Sequence, residues 1–150
     1  MIYFRTPQYH ETVQAGIVHD VNILRWFEEA RVHYLERLGF LIMKQTNSPL
    51  ISPVLTASVK YHKPILLKDN TQIVTRLTMY NGFRYIFYYE VQNRQSDAIF
   101  STGTTTHCFL HPDGKPVRMK REFPQFHRLL QKCVEYDRRE WEYTLFGEIF

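Results

Sequence analysis

The stretch Gln14-Ala-Gly-Ile-Val-His-Asp-Val-Asn-Ile-Leu-Arg-Trp-Phe-Glu-Glu-Ala-Arg31 decides the fold of this chain. A glycine-containing turn leads into Asn22, which we predict to cap the N-terminus of an amphipathic helix. Gly39 favours a helix end directly after Leu38, because glycine adopts the left-handed conformation common there. The larger apolar residues recur at nearly helical spacing, at positions 23, 26, 27, 30, 34 and 38. We therefore predict one long helix over residues 22–38.

The remainder of the chain is typical of strands. Asn81-Gly82 is a strong signal for a two-residue hairpin. One long helix followed by consecutive antiparallel strands indicates an α+β fold. We predict a single domain over residues 1–150, with a core over about 1–120 and a C-terminal helical extension over about 121–150. Its elements are a strand in 2–8, strands at 54–62, 71–80, 83–92 and 98–110, and a helix at 124–139.

Composition narrows the class of protein. The chain has 150 residues, of which 44% are hydrophobic and 15% aromatic, and this argues against disorder. A net charge of +4 is too small to indicate nucleic acid binding, although it suits an anionic ligand as well as an ordinary basic surface. Cys108 and Cys133 have neither disulfide-framework nor metal-ligand spacing. No apolar run approaches a membrane span, so we expect no membrane insertion and a cytoplasmic protein.

The helix segment also carries a family resemblance. The pattern A-G-I-V-x-x-x-N-x-L-R-W-F-E-E-A-R over residues 15–31, followed by L-x-x-L-G-F over 35–40, resembles the helix of hotdog-fold acyl-CoA thioesterases. Within that family it is similar to the 4-hydroxybenzoyl-CoA and Tol-Pal-associated thioesterases. The likeness covers about residues 1–120 and continues in Tyr61-His-Lys-Pro64, Phe87-Tyr-Tyr-Glu-Val91, Thr102-Gly-Thr-Thr-Thr-His107 and Asp113-Gly-Lys-Pro-Val117.

The resemblance implies an architecture and a reaction. The fold would be a curved antiparallel sheet wrapped around one long central helix. The protein would be a homodimer or a homotetramer, with its sites at a two-fold subunit interface. It would hydrolyse an acyl-CoA or an acyl-ACP thioester, and would need no cofactor besides the coenzyme A of the substrate.

Thioester hydrolysis requires a carboxylate or a water as nucleophile, and a donor to the carbonyl oxygen. Unpaired peptide N–H groups at a helix start can stabilise the oxyanion, and the resemblance implies this role for the N–H near residue 20. In the relatives, an Asp nine residues before the helix-start Asn supplies the carboxylate. That position is Val13 here, so the usual catalytic Asp is absent. Glu11 or Asp20 could replace it.

Each of these two acids has an alternative role. In an extended segment Glu11 would face the same side as residue 13, with one more methylene of reach. Asp20 could act as a base or simply cap the helix. His19 beside it is a third catalytic candidate, but adjacent residues in a turn rarely point at each other, which favours a solvated loop histidine. Glu28, on the helix, is a minor candidate.

Other side chains are candidates for binding the substrate. Tyr9 matches a tyrosine often found near the active site of relatives. Arg84 follows the hairpin that contacts the nucleotide in relatives, and Lys60 and Lys63 flank His62 in a second basic cluster. Such cations suit phosphate oxygens but are more often solvated surface charges. We predict no metal site, and we predict that His107 and Cys108 are buried structural residues.

The sequence leaves three classes of function open. The first is a thioesterase that acts on acyl-CoA or acyl-ACP. The second is a non-catalytic acyl-thioester-binding protein, which kept the fold and lost the base at Val13. The third is a hydratase on the same scaffold. It would need a histidine base, for which His19 is the candidate near the helix start, but the thioesterase-like helix argues against it.

Overall fold

The computed structural model describes residues 1–40, 49–96 and 98–147. Within those residues the strands are Ile2–Phe4 (β1), Val54–Tyr61 (β2), Thr71–Tyr80 (β3), Arg84–Asn93 (β4) and Ile99–Cys108 (β5). The helices are Val21–Arg37 (α1), Met119–Glu122 (α2) and Pro124–Gly147 (α3), and short 3-10 turns lie at Tyr9–Glu11 and Gln14–Gly16. The predicted α+β class is confirmed. None of the described helices is long and apolar enough to span a membrane.

The strands form one antiparallel sheet in the order β1-β3-β4-β5-β2, as far as the described residues extend. β1 pairs with the first half of β3, with Tyr3 opposite Ile73. β2 forms the other edge. Buried residues alternate along β3, β4 and most of β5, as expected of strands with one face on a core.

Residue contacts divide the chain into two compact units. The first comprises Met1–Arg37, Ala57–Thr75 and Tyr88–Thr104, and the second comprises Leu38–Thr56, Arg76–Phe87 and Thr105–Phe150. Strands β3, β4 and β5 therefore each contribute residues to both units. The single domain with a C-terminal extension stays a prediction.

In the first unit, α1 packs its predicted apolar stripe against the strands. Ile23, Trp26, Phe27 and Ala30 are all buried. The Phe27 ring lies parallel to that of Tyr89, at a centroid distance of 4.4 Å and an interplanar angle of 6°. The helical spacing of the sequence therefore predicted the buried face correctly. Gly39 has a φ of 92°, as expected of a residue that ends a helix.

Gly103 on β5 lies in close contact with strand β2 and helix α1. A Cβ atom there would lie 2.4 Å from the Ser58 carbonyl oxygen and 2.5 Å from the Phe27 ring. We expect Gly103→Ala to lower stability by about 1–3 kcal/mol through overpacking. In thermal unfolding this is a decrease of about 2–12 °C in Tm. Thr104→Ala, at an exposed position of the same strand, is the control. Equal melting of the Gly103→Ala variant and the wild type would contradict this packing.

In the second unit, α3 covers the part of β3 that follows its pairing with β1. Asp137 is buried, and its Oδ2 accepts the Leu77 N–H at 2.8 Å. The Tyr80 hydroxyl lies 2.8 Å from His127 Nδ1, and the Arg76 guanidinium lies 5.4 Å from the centre of the Trp141 ring. An open strand edge promotes aggregation, so the C-terminal helix protects this edge of the sheet.

An aromatic cluster forms the core of the second unit. Phe109 is fully buried, 5.9 Å from Phe40 and 4.8 Å from Tyr85 by ring centroids. His107 stacks on Tyr85 at 5.0 Å, and its Nε2 lies 2.7 Å from the Thr105 hydroxyl oxygen. The prediction that His107 and Cys108 are buried is confirmed, since they are 1% and 3% exposed.

Element boundaries differ from the sequence predictions in several places. The hairpin after β3 has three residues rather than two, because the Asn81 side-chain oxygen accepts the N–H groups of both Phe83 and Arg84. The C-terminal helix extends to Gly147, beyond the predicted residue 139. Part of the segment over residues 40–53, predicted as a loop or short helix, lies outside the described residues.

Candidate active site

The turn before α1 is organised differently from its sequence prediction. The helix begins at Val21, so Asp20 precedes it and Asn22 lies within its first turn. Asn22 is buried, and its side-chain amide donates to the carbonyls of Glu11 (3.0 Å) and His19 (3.2 Å). The prediction of Asn22 as the helix cap is therefore wrong. Its side chain instead fixes the loop against the helix start.

This turn presents one unused peptide donor. The His19 N–H is bonded to the Glu11 carbonyl at 2.8 Å, and the Val21 N–H lies 3.2 Å from His19 Nδ1. Between them, the Asp20 N–H has no acceptor among the residues that the structure describes. It lies at the positive end of the helix dipole. A carbonyl oxygen that gains negative charge would be stabilised at this position.

His19 and Asp20 contact each other, contrary to the expectation for adjacent turn residues. His19 Nδ1 lies 3.0 Å from Asp20 Oδ1, in an exposed pair. The same nitrogen is the acceptor for the Val21 N–H. A neutral Nδ1 with its lone pair caps the helix, whereas a protonated Nδ1 donates to Asp20. One nitrogen cannot do both, so the tautomer that keeps a lone pair on Nδ1 leaves the Asp20 carboxylate available for chemistry.

Glu11 occupies a buried polar network. It is 4% exposed, and its two oxygens accept hydrogen bonds from four donors. Arg5 binds both oxygens, at 2.8 and 2.7 Å, and Trp26 Nε1 and the Gln8 N–H bind one each, at 2.8 and 2.9 Å. Burial alone would raise the pKa of Glu11, but the hydrogen bonds from Arg5, Trp26 and Gln8 outweigh it, and the pKa is lowered. The lone pairs of this carboxylate are occupied, which argues against its acting as a base.

Val13 and Glu11 do not share a face, contrary to the prediction for an extended segment. Glu11 ends a 3-10 turn, whereas Val13 donates its N–H to Ile17 at 2.8 Å and begins a tight loop. Ala15 and Gly16 turn this loop with φ angles of 66° and 70°. Val13 is 47% exposed while Glu11 is buried. Glu11 therefore does not share the environment of Val13.

Asp20 lines a cavity of about 370 Å³ in the first unit. Apolar walls come from Val18, Ile23, Pro64 and Ile65, and the polar lining residues are Asp20, Tyr61, His62, Lys63 and Ser101. Such a cavity, mostly apolar with a few polar groups, is typical of a small-molecule site.

The phenol of Tyr61 connects this cavity to the helix start. It donates to the Asp20 carbonyl at 3.2 Å. Burial raises the pKa of Tyr61, and the charge of Asp20 raises it further, so the phenol keeps its proton and remains a donor. Across the cavity, His62 Nε2 lies 3.0 Å from the Thr102 hydroxyl oxygen.

The predicted binding residues lie in different places. Lys63 lines the Asp20 cavity, whereas Lys60 is exposed on β2 and does not line it. Tyr9 is 82% exposed in its 3-10 turn and also lies outside that cavity lining. Arg84 begins β4 and belongs to the second unit. Their roles in binding coenzyme A stay predictions.

Tyr61 and Ser101 are the polar lining residues of the cavity that the sequence analysis did not select. Tyr61 belongs to the quoted Tyr61-His-Lys-Pro64 motif, and that motif was a usable signal. Ser101 gave no signal, because it is one hydroxyl residue in a strand rich in them. In the described part of the chain, no group of three His, Cys, Asp or Glu side chains is placed to hold a metal ion.

The sequence matches a known protein family. The model of the Thioesterase-like superfamily matches residues 10–129, which include the turn, helix α1 and all of β2 to β5. The chain belongs to the Thioesterase-like superfamily. Its hotdog fold, implied above by resemblance, is thereby confirmed.

The chain is similar in backbone to a solved structure and in sequence to further named proteins. The DHNA-CoA thioesterase from Staphylococcus aureus is 30% identical, with a TM-score of 0.80 over 93% of each chain. The 1,4-dihydroxy-2-naphthoyl-CoA hydrolase of Thermosynechococcus vestitus is 27% identical over 81% of this chain and 84% of its own. YneP of Bacillus subtilis, provisionally named an acyl-CoA thioesterase, is 29% identical over 84% of this chain and 91% of its own.

Proposed function

We propose that this protein hydrolyses acyl-CoA thioesters and releases a carboxylic acid and free coenzyme A. One observation carries the proposal. Asp20 combines an unused N–H at the start of α1 with an exposed carboxylate, and it lines a largely apolar cavity. The names of the relatives support the same reaction class.

In the proposed mechanism, a water molecule attacks the thioester carbonyl carbon and the Asp20 carboxylate accepts its proton. The Asp20 N–H stabilises the oxyanion that forms. The carbon–sulfur bond then breaks, and the departing thiolate receives the proton from Asp20. Water and the protein's own groups supply every step, so the proposed reaction needs no cofactor besides the coenzyme A of the substrate.

The identities of the acyl group and of its carrier are also part of this proposal. The resemblance suggested the 4-hydroxybenzoyl-CoA and Tol-Pal-associated subgroup, whereas two of the relatives above act by name on 1,4-dihydroxy-2-naphthoyl-CoA. A bicyclic aromatic acyl group is therefore the first to test beside 4-hydroxybenzoyl and aliphatic chains. Acyl-ACP remains the alternative carrier, and the net charge of +4 suits either anionic carrier.

A thiol-release assay tests the proposed function. The purified protein is incubated with aromatic and aliphatic acyl-CoAs and acyl-ACPs, and free thiol is measured. We expect turnover with at least one acyl-CoA. Calorimetric binding of acyl-CoA without turnover would instead favour the non-catalytic binding protein, and turnover of acyl-ACP alone would change the carrier.

We further propose that the protein is a homodimer or a homotetramer. β2 is an edge strand that exposes Val54, Leu55 and Tyr61 at 54%, 44% and 52%. An exposed apolar edge of this kind favours a second copy as its cover. We expect light scattering to give two or four times the monomer mass of 18.1 kDa. A mass of 18.1 kDa at all concentrations would contradict this assembly.

The cytoplasm is the proposed location of the reaction. Neither Cys108 nor Cys133 forms a disulfide within the residues that the structure describes, and Cys108 is buried. Proteins in reducing compartments keep cysteines in this form. The proposed activity depends on coenzyme A thioesters, and this dependence is compatible with a cytoplasmic location.

A further inference from the structure

Ser101 differs from the other hydroxyl residues on the buried side of the first unit. It is 1% exposed, and its hydroxyl has no hydrogen-bond partner within the residues that the structure covers. The buried Thr71 hydroxyl, by contrast, donates to the Arg5 carbonyl. Thr75 also has an unpartnered hydroxyl, but it does not line the Asp20 cavity, whereas Ser101 does.

The Ser101 hydroxyl is available to a molecule in the cavity. Ser101 lines the cavity, and its oxygen is not among the fully enclosed polar atoms that lack a partner in the described residues. The cavity's other neutral polar groups already have partners, since Tyr61 donates to the Asp20 carbonyl and His62 contacts Thr102. Beside the unused Asp20 N–H and the Asp20 carboxylate, the Ser101 hydroxyl therefore offers an occupant a further polar group.

The cavity has surfaces that suit both an acyl group and a water molecule. Its apolar lining residues include Val18, Ile23 and Ile65, which suit an apolar acyl group. A water molecule in such surroundings needs two to four polar contacts to be held. The Asp20 carboxylate supplies one of them, and Ser101 lines the same cavity.

We propose that Ser101 Oγ and the Asp20 carboxylate together hold the water molecule that attacks the thioester. This inference rests on the proposed hydrolase function and adds a second group to its reacting centre. The Ser101 hydroxyl forms one hydrogen bond with the water. The oxygen of this water forms the new bond to the carbonyl carbon. The proton goes to Asp20 and then to the thiolate, so Ser101 gains and loses no proton overall.

The test is the steady-state kinetics of Ser101→Ala. We expect kcat to fall about 10- to 100-fold, because a misplaced reactant loses rate of this order, while KM stays unchanged. The affinity for a non-hydrolysable thioether analogue of acyl-CoA, measured by calorimetry, should also stay unchanged. Tm should not fall, because the variant removes a hydroxyl that has no protein partner. Thr104→Val, which removes an exposed hydroxyl from the same strand, is the matched control and should retain wild-type kinetics.

Each of the other possible outcomes of this experiment would contradict part of the proposal. A Ser101→Ala variant with wild-type kcat would overturn the role of Ser101 and leave the hydrolase function standing. A raised KM and weaker analogue binding with unchanged kcat would assign Ser101 to the acyl group instead of water. A large fall in Tm would make Ser101 a structural residue and would overturn its proposed role toward the water. Wild-type protein without any turnover would remove the proposed function and this role together.

Discussion

Replacement of Asp20 by Asn is expected to lower kcat by about 10²- to 10⁴-fold, the usual contribution of a general base. The change removes the carboxylate but keeps the size of the side chain and its ability to precede a helix, since Asn and Asp are equivalent there. The side chain is 64% exposed, so Tm should hardly change. The measurement is kcat for the best acyl-CoA substrate, together with thermal unfolding of the same preparation.

The outcome of Asp20→Asn separates the candidate acids. A variant that retains nearly full activity would contradict the role of Asp20. Loss of activity in Glu11→Gln at a temperature where that variant is folded would then make Glu11 the catalyst. If neither change matters, Glu28 is next, although it is exposed on α1 and lines a different cavity from Asp20.

Glu11→Gln is expected to lower stability by about 3 kcal/mol, the lower end of the range for breaking a buried ion pair. All four groups that bind the Glu11 carboxylate are N–H donors, so the N–H groups of the Gln amide would face other donors. Arg5 keeps its hydrogen bond to Glu29 at 2.8 Å, and this limits the loss. Thermal unfolding should show a decrease of about 6–12 °C in Tm. The control is Glu36→Gln, at an exposed position of α1, with an expected change within about 0.5 kcal/mol.

The stability difference between Glu11→Gln and the wild type should depend on pH. The pKa of Glu11 is lowered in the folded state. Its contribution to stability is therefore present at pH values above the pKa of the unfolded state, and is lost as the pH falls through the pKa of the folded state. We expect the full difference in Tm at pH 7, and a narrowing difference below about pH 4, where an unfolded Glu binds its proton. A difference that stays constant across this range would mean that the charge of Glu11 is not what stabilises the turn.

Glu11 also affects the geometry of the proposed oxyanion donor. Its carbonyl accepts the His19 N–H at 2.8 Å and the Asn22 side-chain amide at 3.0 Å. Its carboxylate is fixed by Arg5 and Trp26. The Glu11 carbonyl therefore orders the turn around Asp20, and the Glu11 side chain is itself held in place by Arg5 and Trp26. Under the proposed function, Glu11 is therefore a positioning residue of this site.

The parts of the fold that depend on local patterns were predictable from the sequence. The limits of β3 at Thr71 and Tyr80 agree with the alternation read from the sequence. Helix α1 is displaced by one residue at each end. The prediction of Asn22 as the cap is wrong because a good capping residue within the first turn of a helix gives the same local sequence pattern as a cap. Its actual acceptors include the carbonyl of Glu11, eleven residues earlier.

By itself, the sequence determined the α+β order of elements, the buried stripe of α1 and the helix-start location of Asp20, because periodicity and turn residues act over a few neighbouring positions. Only the tertiary structure decided what the acidic residues do. Glu11 is enclosed by Arg5 and by Trp26, fifteen residues later, whereas Asp20 faces a cavity that Ser101 also lines. Burial and hydrogen-bond partners set the chemistry of a carboxylate, and residues distant in the sequence supply both.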